Sequence, residues 1–309
     1  MYWEMQPTEN LFGFKSSQPK GDYSMEIKKI VVCGAGVMGG GIAQVCANAG
    51  YEVWMYDLKE EFAQGGKNKI AAGLEKQVAR GKMTEEQKGA LLDRLHPTTD
   101  INCAADAQLI MEAVLENVQV KKELFAKLEA VCPADAIIGT NTSYIPISTL
   151  AADMVHPERF LGMHFFNPVY AMKLLELIRG EKTGDAAYEA ALAFAPTIGK
   201  SAVTCKKEVP GFIVNRLNKA VQAEAMYLLH EGVASVEDID KAAKLGLNYP
   251  MGPFEMMDGN LELTYTCLNL LYELTGDARF QPTEELVAHI EAGEFGRRTG
   301  KGWYDYSEQ

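Results

Sequence analysis

Two side chains twelve residues apart carry the first suggestion of chemistry. His164 lies in the apolar run Phe160-Leu-Gly-Met-His-Phe-Phe166, which ends at Asn167-Pro168, and Glu176 lies inside Leu174-Leu-Glu-Leu-Ile178. Both runs read as strands. Histidine titrates near working pH, so it can take a proton from an alcohol and return it. A carboxylate buried in an apolar strand needs a partner. An imidazole N–H would satisfy it, orient the ring and support its charged form. The spacing alone leaves two readings open: an acid/base pair, or a satisfied core histidine beside a strand acid paired elsewhere. Thr140-Asn-Thr-Ser143 follows another strand and could place a hydroxyl over such a site. Asn215, in Pro210-Gly-Phe-Ile-Val-Asn-Arg216, opens a helix, either as a polar group of the site or as an interdomain hydrogen bond.

A second constellation binds phosphate. Ile30–Cys33 is a short β-branched run, followed by Gly34, Gly36 and Gly39 at G-x-G-x-x-G spacing and by a small-residue helix to about Ala49. Gly34 permits the tight turn, Gly36 lets a pyrophosphate approach the backbone, and Gly39 lets the helix pack on the sheet. The helix N-terminus offers free N–H groups to the phosphate. A further apolar run, Val53–Tyr56, ends at Asp57, 21 residues past Gly36 (57 − 36), where a carboxylate accepts both ribose hydroxyls. A 2′-phosphate would meet that negative charge, so the expected cofactor is NAD.

These groups must be held by an alternating chain. Glu60–Leu95 reads as two helices broken near Gly81-Lys-Met-Thr84, with Thr84-Glu-Glu-Gln87 as a capping box. Leu109–Val114 reads as a strand, Val118–Val131 as an amphipathic helix, and Ala136–Thr140, Phe160–Phe166, Leu174–Ile178 and Ser201–Cys205 as further strands. Such alternation predicts an α/β fold with a Rossmann-type doubly wound sheet. After Pro210-Gly211 the pattern turns helical, with Phe212–His230, Val236–Lys244, Leu261–Leu274 and Glu284–Glu291. The expected division is residues 25–207 for the NAD-binding domain, with the helical pair at about 60–95 inserted, and 208–309 for an all-α domain. Met1–Ser24 is polar and aromatic, resembles neither a signal nor a transit peptide, and reads as a disordered leader or extension.

Composition narrows the function. A net charge of −12 argues against general nucleic-acid or membrane-surface binding. The six cysteines (33, 46, 103, 132, 205 and 267) form no C-x-x-C pair, so no metal site or disulfide is expected, and a reducing, cytoplasmic compartment is. No apolar run approaches the ~20 residues of a membrane span.

Taken together, these motifs resemble the L-3-hydroxyacyl-CoA dehydrogenase family. The stretches that carry the resemblance are Gly34–Ala43, Glu112–Asn117, Asn141-Thr-Ser143, Pro157–Pro168, Met172–Glu176, Pro210–Leu217, Tyr249–Phe254 and Arg298–Tyr304. The resemblance implies an NAD-dependent, reversible oxidation of short 3-hydroxyacyl-CoA thioesters. By position, His164 resembles the acid/base and Glu176 its partner. Ser143 and Asn215 resemble the groups around the reacting oxygen. Gly34, Gly36, Val37, Met38, Gly39, Asp57 and Asn141 match the cofactor-binding motifs, and Glu116 and Lys121 match residues near the nicotinamide end.

The same resemblance implies that the helical pair meets the CoA nucleotide, and Lys76, Arg80 and Lys82 lie in a locally basic segment there. The alternative for that segment is a solvated helix face. Family members often carry Ser where Gly73 stands, and a small hydroxyl residue where Tyr144 stands. Phe254-Glu-Met-Met257, Leu261 and Leu268–Leu271 supply more apolar surface than a small helical domain easily buries. Together with family pairing through this domain, they make a homodimer the expectation. The alternative enzyme reading is a lambda-crystallin-like dehydrogenase of a free hydroxy or sugar acid, which would have no nucleotide for the basic segment to bind. A non-enzymatic NAD-binding protein would have no use for His164, Glu176, Ser143 and Asn215 together.

Overall fold

A computed structural model of the chain describes residues 26–308, so the expected leader at 1–24 lies outside the described residues. Strand β1 (Lys29–Cys33) turns into helix α1 (Val37–Asn48), and β2 (Glu52–Tyr56) follows. Helices α2 (Glu60–Ala79) and α3 (Glu85–Asp93) form the expected pair. The Thr84 hydroxyl accepts the Gln87 N–H at 3.1 Å and the Gln87 side-chain oxygen Oε1 accepts the Thr84 N–H at 2.9 Å. Next come β3 (Leu95–Thr98), β4 (Leu109–Glu112), α4 (Val118–Glu129), β5 (Ile137–Thr140) and α5 (Ile147–Ala151). The segment closes with β6 (Phe160–Phe165), β7 (Leu174–Ile178), α6 (Asp185–Thr197) and β8 (Ser201–Cys205).

The eight strands form one sheet in the order β3-β2-β1-β4-β5-β6-β7-β8. Every adjacent pair is parallel except β6–β7. The first six strands follow the doubly wound order, whose direction reverses between β1 and β4; ligands bind at such a switch point. Central parallel strands are covered on both faces, which is why they read as unbroken apolar runs. In β1, Ile30 and Val32 enter the core on one face and Val31 and Cys33 the core on the other.

β3 is absent from the sequence reading, which runs the helical pair on to Leu95. Its four residues, Leu-His-Pro-Thr, include a proline and one large aliphatic side chain, and pairing with β2 alone tolerates both at a sheet edge.

Beyond β8 the chain forms α7 (Val214–His230), α8 (Val236–Gly246), α9 (Pro253–Met257), α10 (Leu261–Thr275) and α11 (Glu284–Glu291). Their shared core corrects one expectation. Phe254, Met257, Leu261, Leu268 and Leu271 are fully buried within this chain, so they are not surplus apolar surface waiting for a partner. Met256, from the expected stretch, is 38% exposed, and other exposed apolar side chains of this part include Leu217, Tyr227 and Leu263. Tyr144, from the loop after β5, packs into the helical core and ties it to the sheet. Among the described residues, no helix is long and apolar enough to cross a membrane.

The β1–α1 turn has no slack. Gly34 has φ +96, and a Cβ on Gly39 would lie 1.7 Å from the Gly34 carbonyl oxygen. Gly39→Ala is therefore expected to lower stability by about 1–3 kcal/mol or more and to weaken NADH binding. Gly73→Ala, where a Cβ meets nothing within 4 Å on an exposed helix face, should gain up to about 1 kcal/mol. Thermal unfolding with NADH titration checks both; a Gly39→Ala protein that melts and binds like wild type would contradict this packing.

Candidate active site

Strands β6 and β7 explain the twelve-residue spacing. In their antiparallel register His164 stands directly opposite Glu176, so both side chains leave the sheet on one face within reach of each other. Nδ1 of His164 lies 2.7 Å from Oε2 of Glu176. The carboxylate only accepts, so Nδ1–H is the donor and Nε2 is left to face the site. Nε2 is 3.1 Å from the Ser143 hydroxyl. Glu176 is fully buried and His164 nearly so, with the rings of Phe166 and Phe212 edge-on at 4.6 and 5.6 Å.

The other oxygen of Glu176 reaches the helical part. Oε1 accepts the backbone N–H groups of Ile213 at 3.1 Å and Val214 at 2.9 Å. No side chain caps α7, so the Glu176 carboxylate takes the capping role, where the helix dipole favours negative charge. The turn that delivers α7 passes through Gly211 (φ +77) and Phe212 (φ +48), both left-handed. For buried Phe212 that conformation costs about 1–3 kcal/mol. Asn215 stands in the first turn of α7, half-buried, beside these two N–H groups.

A second buried network holds the Ser143 loop. Lys121, on α4, is 1% exposed, with Nζ 2.6 Å from Glu112 and 3.2 Å from Glu116. Glu112, fully buried at the end of β4, also accepts the Thr140 hydroxyl at 2.5 Å and the Val114 N–H at 2.7 Å. Oε1 of Glu116 accepts the Thr142 hydroxyl at 2.6 Å and the N–H groups of Ser143 and Tyr144 at 2.9 and 3.3 Å. Burial alone would raise the Glu116 pKa. The Lys121 ammonium and the bonds from Thr142 and Ser143 outweigh it and hold the carboxyl below its ordinary value. Asn141 accepts the Phe165 N–H at 2.8 Å, fixing the end of β5 to the end of β6 beside His164.

The NAD motif opens on a cleft of about 530 Å³ at the β1/β4 switch point, lined by Gly34, Gly36, Asp57, Leu58, Ala113 and Leu115 among others. Three features fit a dinucleotide. No side chain caps α1, a Cβ on Gly36 would meet nothing, and the flanking Val37, Leu58 and Leu115 are more than 70% exposed. The two Asp57 oxygens accept the N–H groups of Ala35 and Leu58, each at 2.8 Å, which fixes the carboxylate and leaves lone pairs for ribose hydroxyls. Val37 and Met38 form the first turn of α1.

The structure thus brings His164, Glu176 and Ser143 together, places Asn215 next to Val214, whose N–H Glu176 accepts, and gathers Gly34, Gly36 and Asp57 at the cleft, with Gly39 packed behind Gly34. Lys121 and Glu116 join through the buried network. Lys76, Arg80 and Lys82 lie apart, exposed at the end of α2 and just after it. Sequence reasoning missed Glu112, Thr142 and the N–H groups of Ile213 and Val214. Glu112 left a signal, an acid closing the apolar run Leu109-Ile-Met; the backbone groups left none.

The model of the 3-hydroxyacyl-CoA dehydrogenase NAD-binding domain matches residues 29–209, and that of the C-terminal domain matches 211–306. A probable 3-hydroxybutyryl-CoA dehydrogenase of Bacillus subtilis is 40% identical over 92% of this chain and 99% of its own length. The 3-hydroxybutyryl-CoA dehydrogenase of Bradyrhizobium diazoefficiens is 42% identical over 91% of this chain and 96% of its own. The crystal structure of (S)-3-hydroxybutyryl-CoA dehydrogenase PaaH1 from Ralstonia eutropha superposes with a TM-score of 0.87 at 37% identity, covering 91% of this chain and all of that one.

Lys121→Met would strand the buried Glu112 carboxylate, and a loss of about 3–5 kcal/mol is expected in denaturant unfolding, partly restored by adding Glu112→Gln. The lowered Glu116 pKa gives a pH signature. Its stabilisation is complete above the ordinary carboxylate range and fades as pH falls through the lowered folded value. The stability gap between wild type and Glu116→Gln should therefore shrink from pH 7 to pH 3; a gap that stays constant would contradict this reading.

Proposed function

The chain belongs to the 3-hydroxyacyl-CoA dehydrogenase family and is an NAD-dependent oxidoreductase of acyl-CoA substrates; from that premise we propose that it interconverts (3S)-3-hydroxybutyryl-CoA and acetoacetyl-CoA, with His164 moving the proton. The observation that carries the chemistry is the line Glu176–His164–Ser143, with Nε2 turned to the site. The names of the relatives support the short substrate.

When bound, NAD would supply the acceptor for the C3 hydride and its two electrons as alcohol becomes ketone, and its reduced form the donor in the other direction. In oxidation, Nε2 of His164 takes the 3-hydroxyl proton. In reduction, the imidazolium gives that proton to the new alkoxide. Glu176 stabilises the imidazolium and keeps Nδ1 protonated. Ser143 and Asn215 hydrogen-bond the oxygen as charge develops on it. Lys121 and Glu116 act at one remove, by fixing the loop that carries Ser143. Gly34, Gly36, Val37, Met38, Gly39, Asp57 and Asn141 hold the cofactor, and Lys76, Arg80 and Lys82 meet the CoA phosphates.

In this reading residues 25–207 bind cofactor, while 208–309 close over the thioester and pair two chains. Exposed Leu217, Tyr227 and Leu263 support the pairing; a mass of 34.0 kDa by light scattering would exclude it. The six free thiols favour a cytoplasmic location.

NADH oxidation at 340 nm tests the reaction. Acetoacetyl-CoA should turn over and free acetoacetate should not. His164→Ala should lower kcat by about 10²–10⁴-fold, and Ser143→Ala by about 10²–10³-fold. Rapid turnover of the free acid, or activity that survives His164→Ala, would contradict the reading.

A further inference from the structure

One aromatic ring closes a circuit of contacts that runs through both halves of the chain. His164 meets Ser143 on one side and Glu176 on the other, and Glu176 accepts the N–H groups of Ile213 and Val214. Tyr144, the residue after Ser143, joins the two ends. Its side chain is 7% exposed and belongs to the core of the helical part, not to that of the sheet. The ring lies against the left-handed turn that leads into α7. A Cβ on Gly211 would stand 3.2 Å from Cε1 of Tyr144, and 3.4 Å from Cγ of Arg216 and Cδ2 of Leu271. The hydroxyl end lies against the Cys267 thiol on α10. Burial, and then that thiol, push the phenol up, so it stays neutral at working pH. The backbone of Tyr144 is held from the other half: Oε1 of Glu116 accepts its N–H at 3.3 Å, beside that of Ser143 at 2.9 Å.

These contacts divide the work of holding the site. Residues 141–146 form no helix or strand of their own between β5 and α5. Glu116 ties the loop to α4 through Lys121, within the sheet half. Glu176 ties the first turn of α7 to His164. The Tyr144 ring spans the gap from the loop to the turn directly. A ring has only two side-chain torsions, so once packed it keeps a spacing at low entropic cost. The reacting oxygen lies between Ser143, which immediately precedes the ring, and Asn215, which lies four residues beyond Gly211. A misplacement of about 1 Å in such a pair can cost about 10²-fold in rate.

We propose that Tyr144 is a positioning residue whose ring spaces the Ser143 loop from the first turn of α7, so that Ser143 and Asn215 reach the same oxygen. It acts through those two residues and not on the substrate. The ring sets the spacing, and the hydroxyl only anchors it against α10. This rests on the thioester dehydrogenase reading above and adds to it the group that fixes the separation of the two donors.

The test compares variants in NADH oxidation with acetoacetyl-CoA, at a temperature where each is folded by circular dichroism, and measures the Kd for NADH by fluorescence. Tyr144→Phe keeps the ring and should stay within about 5-fold of wild-type kcat. Tyr144→Ala should lower kcat by about 10–10²-fold while the Kd for NADH is unchanged. Leu271→Ala removes the α10 side chain that shares Gly211 with the ring, and should lower kcat by about 3-fold or more. Leu286→Ala, a deletion on α11 in the same core, should lower the melting temperature and leave kcat unchanged. A merely structural Tyr144 would behave like Leu286: a Tyr144→Ala protein that melts early but keeps wild-type kcat overturns the assignment. So does a Tyr144→Phe protein as slow as Tyr144→Ala. Should Tyr144→Ala fail to fold, Leu271→Ala decides, and wild-type kcat there overturns it. A wild type that does not reduce acetoacetyl-CoA sinks the reductase reading and this proposal with it, whereas the other outcomes leave that reading intact.

Discussion

One carboxylate joins the two halves of this molecule. Glu176 is fully buried and divides its oxygens between the His164 imidazole and the first N–H groups of α7. A bare carboxylate at that depth would be prohibitively desolvated, so each bond depends on the others. The antiparallel register of β6 and β7 puts the imidazole opposite the acid. The left-handed turn at Gly211 and Phe212 brings the helix end to it. The strain at Phe212 is tolerated because three donors converge on one anion. The position of Asn215, in the first turn of α7, follows from the same contact.

The rest of the site is built by the same device. Glu112 and Glu116 share Lys121, and Glu116 spends its remaining capacity on the loop that presents Ser143. The imidazole therefore sits between two fixed points, a helix end and a loop clamped by a buried ion pair. Preorganisation of this kind lets hydrogen bonds act on developing charge without reorganising during the reaction. The cofactor cleft asks less of side chains. It uses a switch point, an uncapped helix and one carboxylate held by two backbone N–H groups.

Much of this was legible in the sequence where a physical need has a short-range signature. The glycines at 34, 36 and 39 and the acid at 57 announce a strand, turn and helix around a dinucleotide, and the sheet has the expected doubly wound order. His164 and Glu176 were visible as polar residues in apolar strands, though spacing alone could not pair them. The deciding fact is an antiparallel register, which is a long-range property. β3 escaped because its edge position tolerates a sequence that looks unlike a strand. The helical core defeated composition for a related reason: apolar residues look the same whether they meet their own chain or another, and Phe254 and Leu268, which read as surplus surface, are buried in the core of their own chain. Glu112 left only the trace of an acid closing an apolar run, and its role went unread because its partners, Lys121 and Thr140, are met only in the fold.

The central claim is that Glu176 holds catalysis and interdomain geometry together. It is tested most directly by Glu176→Met, followed by amide hydrogen exchange across residues 211–216 alongside NADH oxidation with acetoacetyl-CoA. The account predicts that both change at once: turnover falls by at least about 10²-fold, and the Ile213 and Val214 amides lose protection. An inactive variant that retains wild-type protection at Ile213 and Val214, or an unprotected one that retains full activity, would contradict it.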